Sequence, residues 1–335
     1  MNYRHVHIIV LQLIMLFSAF LATPGSFGQV RNEWKGIRLS EDDDFFNFRG
    51  QGTDRGYTSG LTINLYYKKN YKPAFPTNLL MKISGNADNL YGFGLSQSLW
   101  TPNNITNKEI QYNDYPYSAA AYLSNFLISA DKEKKQKITT RISFGAIGKY
   151  AFGKQIQSWF HRMINYQPPN GWDNQVRTDI IINYSLEFEK LIFNPCPNLE
   201  ITASAAGNFG TFINSADMGI QIRAGLLDGN FSNSFFVKTR RARVDKDKSH
   251  FLVYAKLNGC GIMDNAALEG GFFTHNRSPY VISKDSINRA ILRYEYGFIF
   301  TRKRVGFSIC EKASTPEFKG SYAQQTGNVS LWFGL

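Results

Sequence analysis

The chain has 335 residues, carries 38 Lys and Arg against 26 Asp and Glu for a net charge of +12, and contains 27 Phe, 18 Tyr and 28 Gly against only 11 Pro. Beyond the N-terminus no uninterrupted apolar run of about 18 residues occurs, which excludes a helical membrane protein, and three widely spaced cysteines, Cys196, Cys260 and Cys310, suggest neither a disulfide framework nor a zinc motif. An aromatic chain that is polar on average, with a mean hydropathy of -0.30, has the composition of an outer-membrane barrel, in which each strand alternates lipid-facing and lumen-facing residues.

Residues 1–28 read as a secretory signal peptide: Arg4, His5 and His7 precede an apolar run over 8–21, and small and turn-forming residues follow to Gly28. Residues 29–335 are then one mature barrel domain with no internal repeat or linker. A first strand is expected over 36–48 and a second over 55–67, where Leu61, Ile63, Leu65 and Tyr67 alternate with Thr62, Asn64 and Tyr66. Glu41-Asp42-Asp43-Asp44-Phe45 ends the first and Asp54-Arg55-Gly56-Tyr57-Thr58-Ser59-Gly60 opens the second. Consecutive carboxylates in strand-like sequence are costly unless a cation or base offsets them, and their oxygens suit calcium. A solvated strand end, or an Asp54–Arg55 ion pair in the turn, accounts for the same residues.

Further strands are expected at 91–99, 119–128 and 138–147, with Asp131 to Lys135 as a tight turn. With the mature N-terminus in the periplasm, strand parity puts the connections after the first, third and fifth strands outside the cell. The fifth connection opens on Gly145, Gly148 and Gly153, runs as a helix over about 155–164, and stops at Pro168-Pro169-Asn170-Gly171. On that helix Gln157 and His161 project from one face, with Ile156, Trp159, Phe160 and Met163 over the others. On spacing alone a packing role for His161 is the commoner outcome.

Beyond it, Ile180, Ile182, Tyr184, Leu186 and Phe188 alternate with polar neighbours, as do Leu292 to Phe300, and strands are expected near 200, 219, 235, 251, 293, 305 and 329. Residues 261–286 are ambiguous, so the count lies between about twelve and fourteen, even if both ends are inside. Lys238, Arg240, Arg241, Arg243, Lys246 and Lys248 crowd one turn; they suit a phosphorylated glycolipid or anionic lipid generally, and an exported barrel is not expected to bind nucleic acid. Val329, Leu331, Phe333 and Leu335 alternate up to the carboxylate, as in the terminal strand of outer-membrane barrels.

The ordered series Glu41 to Phe45, Asp54 to Gly60, Thr101-Pro102, Asp114 with Pro116-Tyr117, Gly145 to Trp172, Gly207-Asn208, Gly219 with Arg223 and Gly225, and Glu317-Phe318 resembles the lipid A 3′-O-deacylase (LpxR-type) outer-membrane family over nearly the whole mature chain. The resemblance implies an all-β, transmembrane antiparallel barrel of about twelve strands, with an extracellular loop helix beside an active site at the outer-leaflet face. It further implies calcium-dependent removal of the 3′-linked acyl group from lipid A, with His161 as the catalytic histidine, Asp43 as the family aspartate and Thr58 as the family threonine. Gln157 is expected to orient the imidazole or the attacking water, and Asp42 to join Asp43 as a second metal ligand. Asp42 stands where the family usually has asparagine, Tyr115 where it has arginine, and Ser59 where it has asparagine. The substrate expected is lipopolysaccharide and the barrel is expected to act as a monomer; a noncatalytic pore and an outer-membrane phospholipase are the alternatives.

Overall fold

The computed structural model describes residues 32–47, 54–69, 74–226, 231 and 249–335. The expected signal peptide, the strand expected near 235 and the basic turn at 238–248 lie outside these. Twelve antiparallel strands follow one another around a closed barrel: β1 (Asn32–Asp43), β2 (Gly56–Lys69), β3 (Asp88–Thr101), β4 (Ser118–Asp131), β5 (Gln136–Ile147), β6 (Asp179–Cys196), β7 (Leu199–Gly210), β8 (Ile213–Gly225), β9 (Ser249–Asn265), β10 (Ala290–Arg302), β11 (Val305–Ser314) and β12 (Gln324–Gly334), with β1 closing on β12. Closure leaves no open edge, so every strand satisfies its backbone against two neighbours, as a lipid environment demands.

The pleat sorts residue chemistry. On β6, Ile180 and Ile182 are exposed while Ile181 and Asn183 between them are buried, and Leu95, Leu123, Phe144, Met218, Val253 and Leu292 are exposed on the same outer surface. Inward positions carry paired charges: Lys137 with Glu189 at 2.6 Å, Arg223 with Glu200 at 3.1 Å and Lys256 with Glu187 at 2.8 Å. Pairing is what makes charge tolerable in so confined a lumen. The terminal strand pairs β1 from Gly36↔Gly334 to Asp43↔Gly327, so the apolar alternation at the C-terminus seals the barrel.

Connections on the two ends differ. At one end β4–β5, β6–β7 and β10–β11 are joined by short turns and β2–β3 and β8–β9 by longer connections; the other carries the loops after β3, β5 and β9 and is the end that strand parity expects to be extracellular. Residues 261–286, ambiguous in sequence, divide between the end of β9, a one-turn helix α2 (Ala266–Glu269) and loop. Tyr115, Leu268, Ile282, Ile287 and Phe318, all buried, meet from the loops after β3, β9 and β11 and pack against Trp100, covering the extracellular end of the lumen. The ends of β8 and β9 that flank the basic segment, Gly225 and Ser249, lie at the opposite end.

Candidate active site

The loop after β5 folds back onto the outer wall of the barrel and there forms the helix α1 (Gly153–Met163). Its first turn sits directly on β4: a Cβ at Gly153 would lie 2.5 Å from the Trp172 ring and 2.6 Å from the Ala119 side chain, so only glycine permits this approach. Leu99, Tyr117, Ala119, Ala151 and Trp172 form the buried contact, and Gln97 of β3 donates to the Ala151 carbonyl at 2.8 Å. Gly153, Gln157 and His161, at four-residue spacing, are the buried face of α1.

The helix ends at Met163, within a residue of the end near 164 that sequence suggested. Asn165 adopts a left-handed conformation, with Tyr166 N–H bonding the His161 carbonyl at 2.8 Å and Asn165 N–H the Arg162 carbonyl at 3.3 Å, the pattern of a Schellman cap. The reversal swings the Gln167 carbonyl to 2.6 Å from His161 Nδ1 and sets the Tyr166 ring edge-on to the imidazole at 5.1 Å. A carbonyl only accepts, so Nδ1 carries a proton and Nε2 is the nitrogen that titrates.

Nε2 points to Asp54, 3.3 Å from Oδ1. The same oxygen accepts from Gln157 Nε2 at 3.1 Å, and Gln157 Oε1 accepts from the Trp172 indole N–H at 2.7 Å. Because an indole nitrogen only donates, Trp172 fixes which end of the Gln157 amide faces Asp54. Gln157 therefore acts on the imidazole through Asp54. Burial alone would lower the pKa of His161. The hydrogen bond and charge of Asp54, the Gln167 carbonyl and the nearby charge of Asp43 outweigh it and raise the pKa above the ordinary 6.5.

Asp43, the last residue of β1, lies on the outer face near this cluster, with Oδ1 accepting from Phe45 N–H at 2.8 Å. Asp44 follows in a short 3-10 turn, where its Oδ2 accepts from Arg55 N–H at 3.1 Å. Thr58 is buried, pairs with Thr101 across the strands at 2.7 Å, and Thr101 donates to the Asp54 carbonyl at 3.0 Å. Thr58 thus reaches the site through Thr101 and the backbone of Asp54. The expected Asp54–Arg55 pairing is replaced: Asp54 serves His161, and the Arg55 guanidinium lies over the Tyr322 ring at 4.4 Å.

Asp42, expected as a second metal ligand, lies on the opposite face of β1 from Asp43. It shares a face with Ser40 and Arg38, and its partners are Lys312 Nζ at 2.6 Å, Asn328 Nδ2 at 2.7 Å and the Tyr57 hydroxyl at 3.1 Å. Tyr57 and Lys312 line a lumenal cavity of about 300 Å³ together with Asn258 of β9 and Gln324 of β12 from across the barrel. Asp42 therefore points into the lumen, while Asp43, one residue on, points out to the wall on which α1 sits. Tyr115 is likewise remote from His161: its hydroxyl donates to Glu317 at 3.1 Å in the loop cap, where burial raises the pKa of both groups. Ser59 donates to Glu41 at 3.3 Å.

Among the described residues no three His, Cys, Asp or Glu side chains converge as a metal cluster. The donor chemistry nevertheless fits a hard cation. Asp43, Asp44 and Asp54 supply carboxylate oxygens, the donor type a hard cation takes, and Asp44 is pushed up to about 9 by burial first and then by the charges of Asp43 and Asp54. The residues that sequence reasoning passed over are Asp54, Gln167 and Trp172. Only Asp54 had a local signal, its place at the head of DRGYTSG.

The family model described as outer membrane protein LpxR matches residues 10–335. Among solved structures, LpxR from Salmonella typhimurium superposes with a TM-score of 0.67 at 18% identity, covering 90% of this chain and 100% of that one. The beta domain of the Bordetella autotransporter BrkA matches with a TM-score of 0.44 at 6% identity, over 91% of this chain and 99% of that one. No curated protein matches. The chain belongs to the LpxR family of outer membrane proteins, and its twelve-stranded barrel lies in the bacterial outer membrane.

Proposed function

We propose that this protein is a lipid A deacylase that hydrolyses the ester of the 3′-linked acyloxyacyl group of lipopolysaccharide from the outer leaflet, with His161 as general base. The observation that carries this reading is a buried histidine whose tautomer is fixed by the Gln167 carbonyl and whose Nε2 faces Asp54, on the outer wall of a barrel rather than in its lumen. A site on the outer wall is open to a substrate that resides in the membrane.

Nε2 is the only imidazole nitrogen available for proton transfer, and its base form is reached as pH rises through the raised pKa. Neutral His161 then takes a proton from water as the water oxygen attacks the acyl carbonyl carbon, and returns it to the alkoxide oxygen of the sugar as the C–O bond breaks. Asp54 steadies the imidazolium between these steps, Gln157 and Trp172 hold Asp54, and Thr101 with Thr58 holds the backbone that carries it. A calcium ion held by Asp43 would supply Lewis-acid polarisation of the acyl carbonyl. The lumen-facing position of Asp42 accommodates the family's asparagine-to-aspartate change without loss of this machinery.

The aromatic cap over the lumen weighs against the pore alternative. The deciding experiment is mass spectrometry of lipid A from cells that express the wild type or His161→Ala. The wild type removes one ester-linked acyl group and the variant, assembled normally, loses about 10²- to 10⁴-fold of the rate. Lysophospholipid formation with lipid A intact would establish the phospholipase reading instead.

A further inference from the structure

Viewed down its axis, at about 100° per residue, α1 has three faces. Gly153, Gln157 and His161 form the face against the wall. Lys154, Ser158 and Arg162 form the next stripe; Lys154 pairs with Asp173 at 2.6 Å and Arg162 Nε donates back to the Ser158 carbonyl at 3.1 Å. On the remaining side Phe152, Ile156, Trp159 and Met163 are all exposed, Trp159 to 47%. An apolar stripe opposite a basic one, on a helix already pinned along a third face, is the distribution of a helix lying in a membrane interface.

Its height on the barrel agrees. The wall residues beneath α1 are Leu99 and Ala119, which pair directly; four residues along the same strands, roughly 13 Å at about 3.3 Å per residue, the paired Leu95 and Leu123 are exposed on the lipid-facing surface. The apolar face of α1 is thus continuous with the band the barrel already presents to acyl chains. We propose that Phe152, Ile156, Trp159 and Met163 are embedded in the acyl-chain layer of the outer leaflet, with Lys154 and Arg162 turned to its anionic headgroups, so that α1 sets the depth at which His161 meets a lipid ester. The depth-setting role rests on the deacylase reading; the embedding does not.

Two measurements separate them. The full-length protein is reconstituted in phosphatidylcholine vesicles whose chains carry bromine either near the glycerol end or near the terminal methyl, and tryptophan quenching is compared between wild type and Trp159→Phe, which leaves Trp34, Trp100, Trp172 and Trp332 in place. The wild type shows a lipid-quenchable share, stronger for the shallow bromine, that the variant lacks. Equal lipid quenching of the two proteins, with Trp159 instead reached by aqueous iodide or shielded from both quenchers by a second copy of the chain, overturns the proposal. In the second measurement, Ile156→Asp with Trp159→Asp lowers the ratio of acyl release from lipid A in vesicles to that from detergent-dispersed lipid A roughly tenfold, equivalent to about 1.4 kcal/mol; an unchanged ratio removes the depth-setting role. A wild type that releases no acyl group from any lipid overturns the deacylase reading, and the quenching result still decides where α1 lies.

Discussion

Asp54→Asn is the substitution that tests the site most directly, because it keeps the shape of the side chain and removes its charge. At 3.3 Å between Nε2 and Oδ1, Coulomb attraction amounts to about 1 kcal/mol in water and about 5 kcal/mol at the effective dielectric of a protein surface. Side-chain exposures of 3% for His161 and 17% for Asp54 place the pair between these limits. The sign follows from the role. The imidazole must be neutral to act as base, so activity falls as pH drops through its pKa, and in the wild type that pKa is raised above 6.5. Asparagine withdraws the charge that opposes the effect of burial, so the acid limb of kcat against pH moves to lower pH. At pH well above both limbs the variant retains activity within about tenfold, since the asparagine carbonyl still accepts from Gln157 and only the steadying of the imidazolium is lost. The assay is acyl release from lipid A across pH at fixed calcium. An acid limb that stays in place, or moves to higher pH, refutes the assignment of Asp54 as the group that tunes His161.

Asp42→Asn strips Lys312 of its carboxylate and leaves one oxygen, which still accepts from Asn328 while the new amide N–H group meets the Tyr57 hydroxyl. Breaking a buried pair costs ~3–5 kcal/mol, but Lys312 is 37% exposed, so the expected loss is about 1–2 kcal/mol in urea unfolding, with the calcium dependence of acyl release unchanged. Asp43→Ala, on the outer face, is expected to abolish acyl release at every calcium concentration; full activity of the wild type in excess chelator would remove the metal from the mechanism. Gly60→Ala would place a Cβ 1.9 Å from the Tyr57 hydroxyl, forcing it off Asp42, and is expected to cost ~1–3 kcal/mol of barrel stability as overpacking, read as a lower unfolding midpoint.

The strands were legible because their period is simple. Ile180 to Glu189 and Leu61 to Tyr67 alternate in sequence as they alternate between lipid and lumen, and the apolar run ending at Leu335 pairs with β1 as a closing strand must. The helix was legible from its glycine lead-in and the Gln157–His161 spacing. Its end near 164 was legible too; the left-handed Asn165 that caps it was not, because that backbone is one many sequences tolerate only in context. The partners of His161 were hidden for a further reason. Asp54, Gln157, Gln167 and Trp172 span 119 positions along the chain, and nothing local says that the loop after β5 folds down over the loop between β1 and β2.

Asp42 and Asp43 show how a strand distributes chemistry. In one strand, consecutive residues face opposite environments, so Asp42-Asp43 cannot act as a pair however acidic the run looks. Asp42 belongs to the lumen, where Lys312 neutralises it, and Asp43 to the wall, where His161 lies near it. On β2 the same rule would have sent Tyr57 outward and Thr58 inward, given that Gly60 opposes Asp42 on the lumen face. A register shift between Tyr57 and Ser59 breaks the rule by one residue. The bulge turns the Tyr57 hydroxyl in to Asp42, into space left by the missing side chain of Gly60, and turns Thr58 out to Thr101 and so to the backbone of Asp54. The motif Asp54 to Gly60 is therefore best read as a device for changing sides: its glycine and its bulge hand one residue to the lumen and the next to the face where His161 waits.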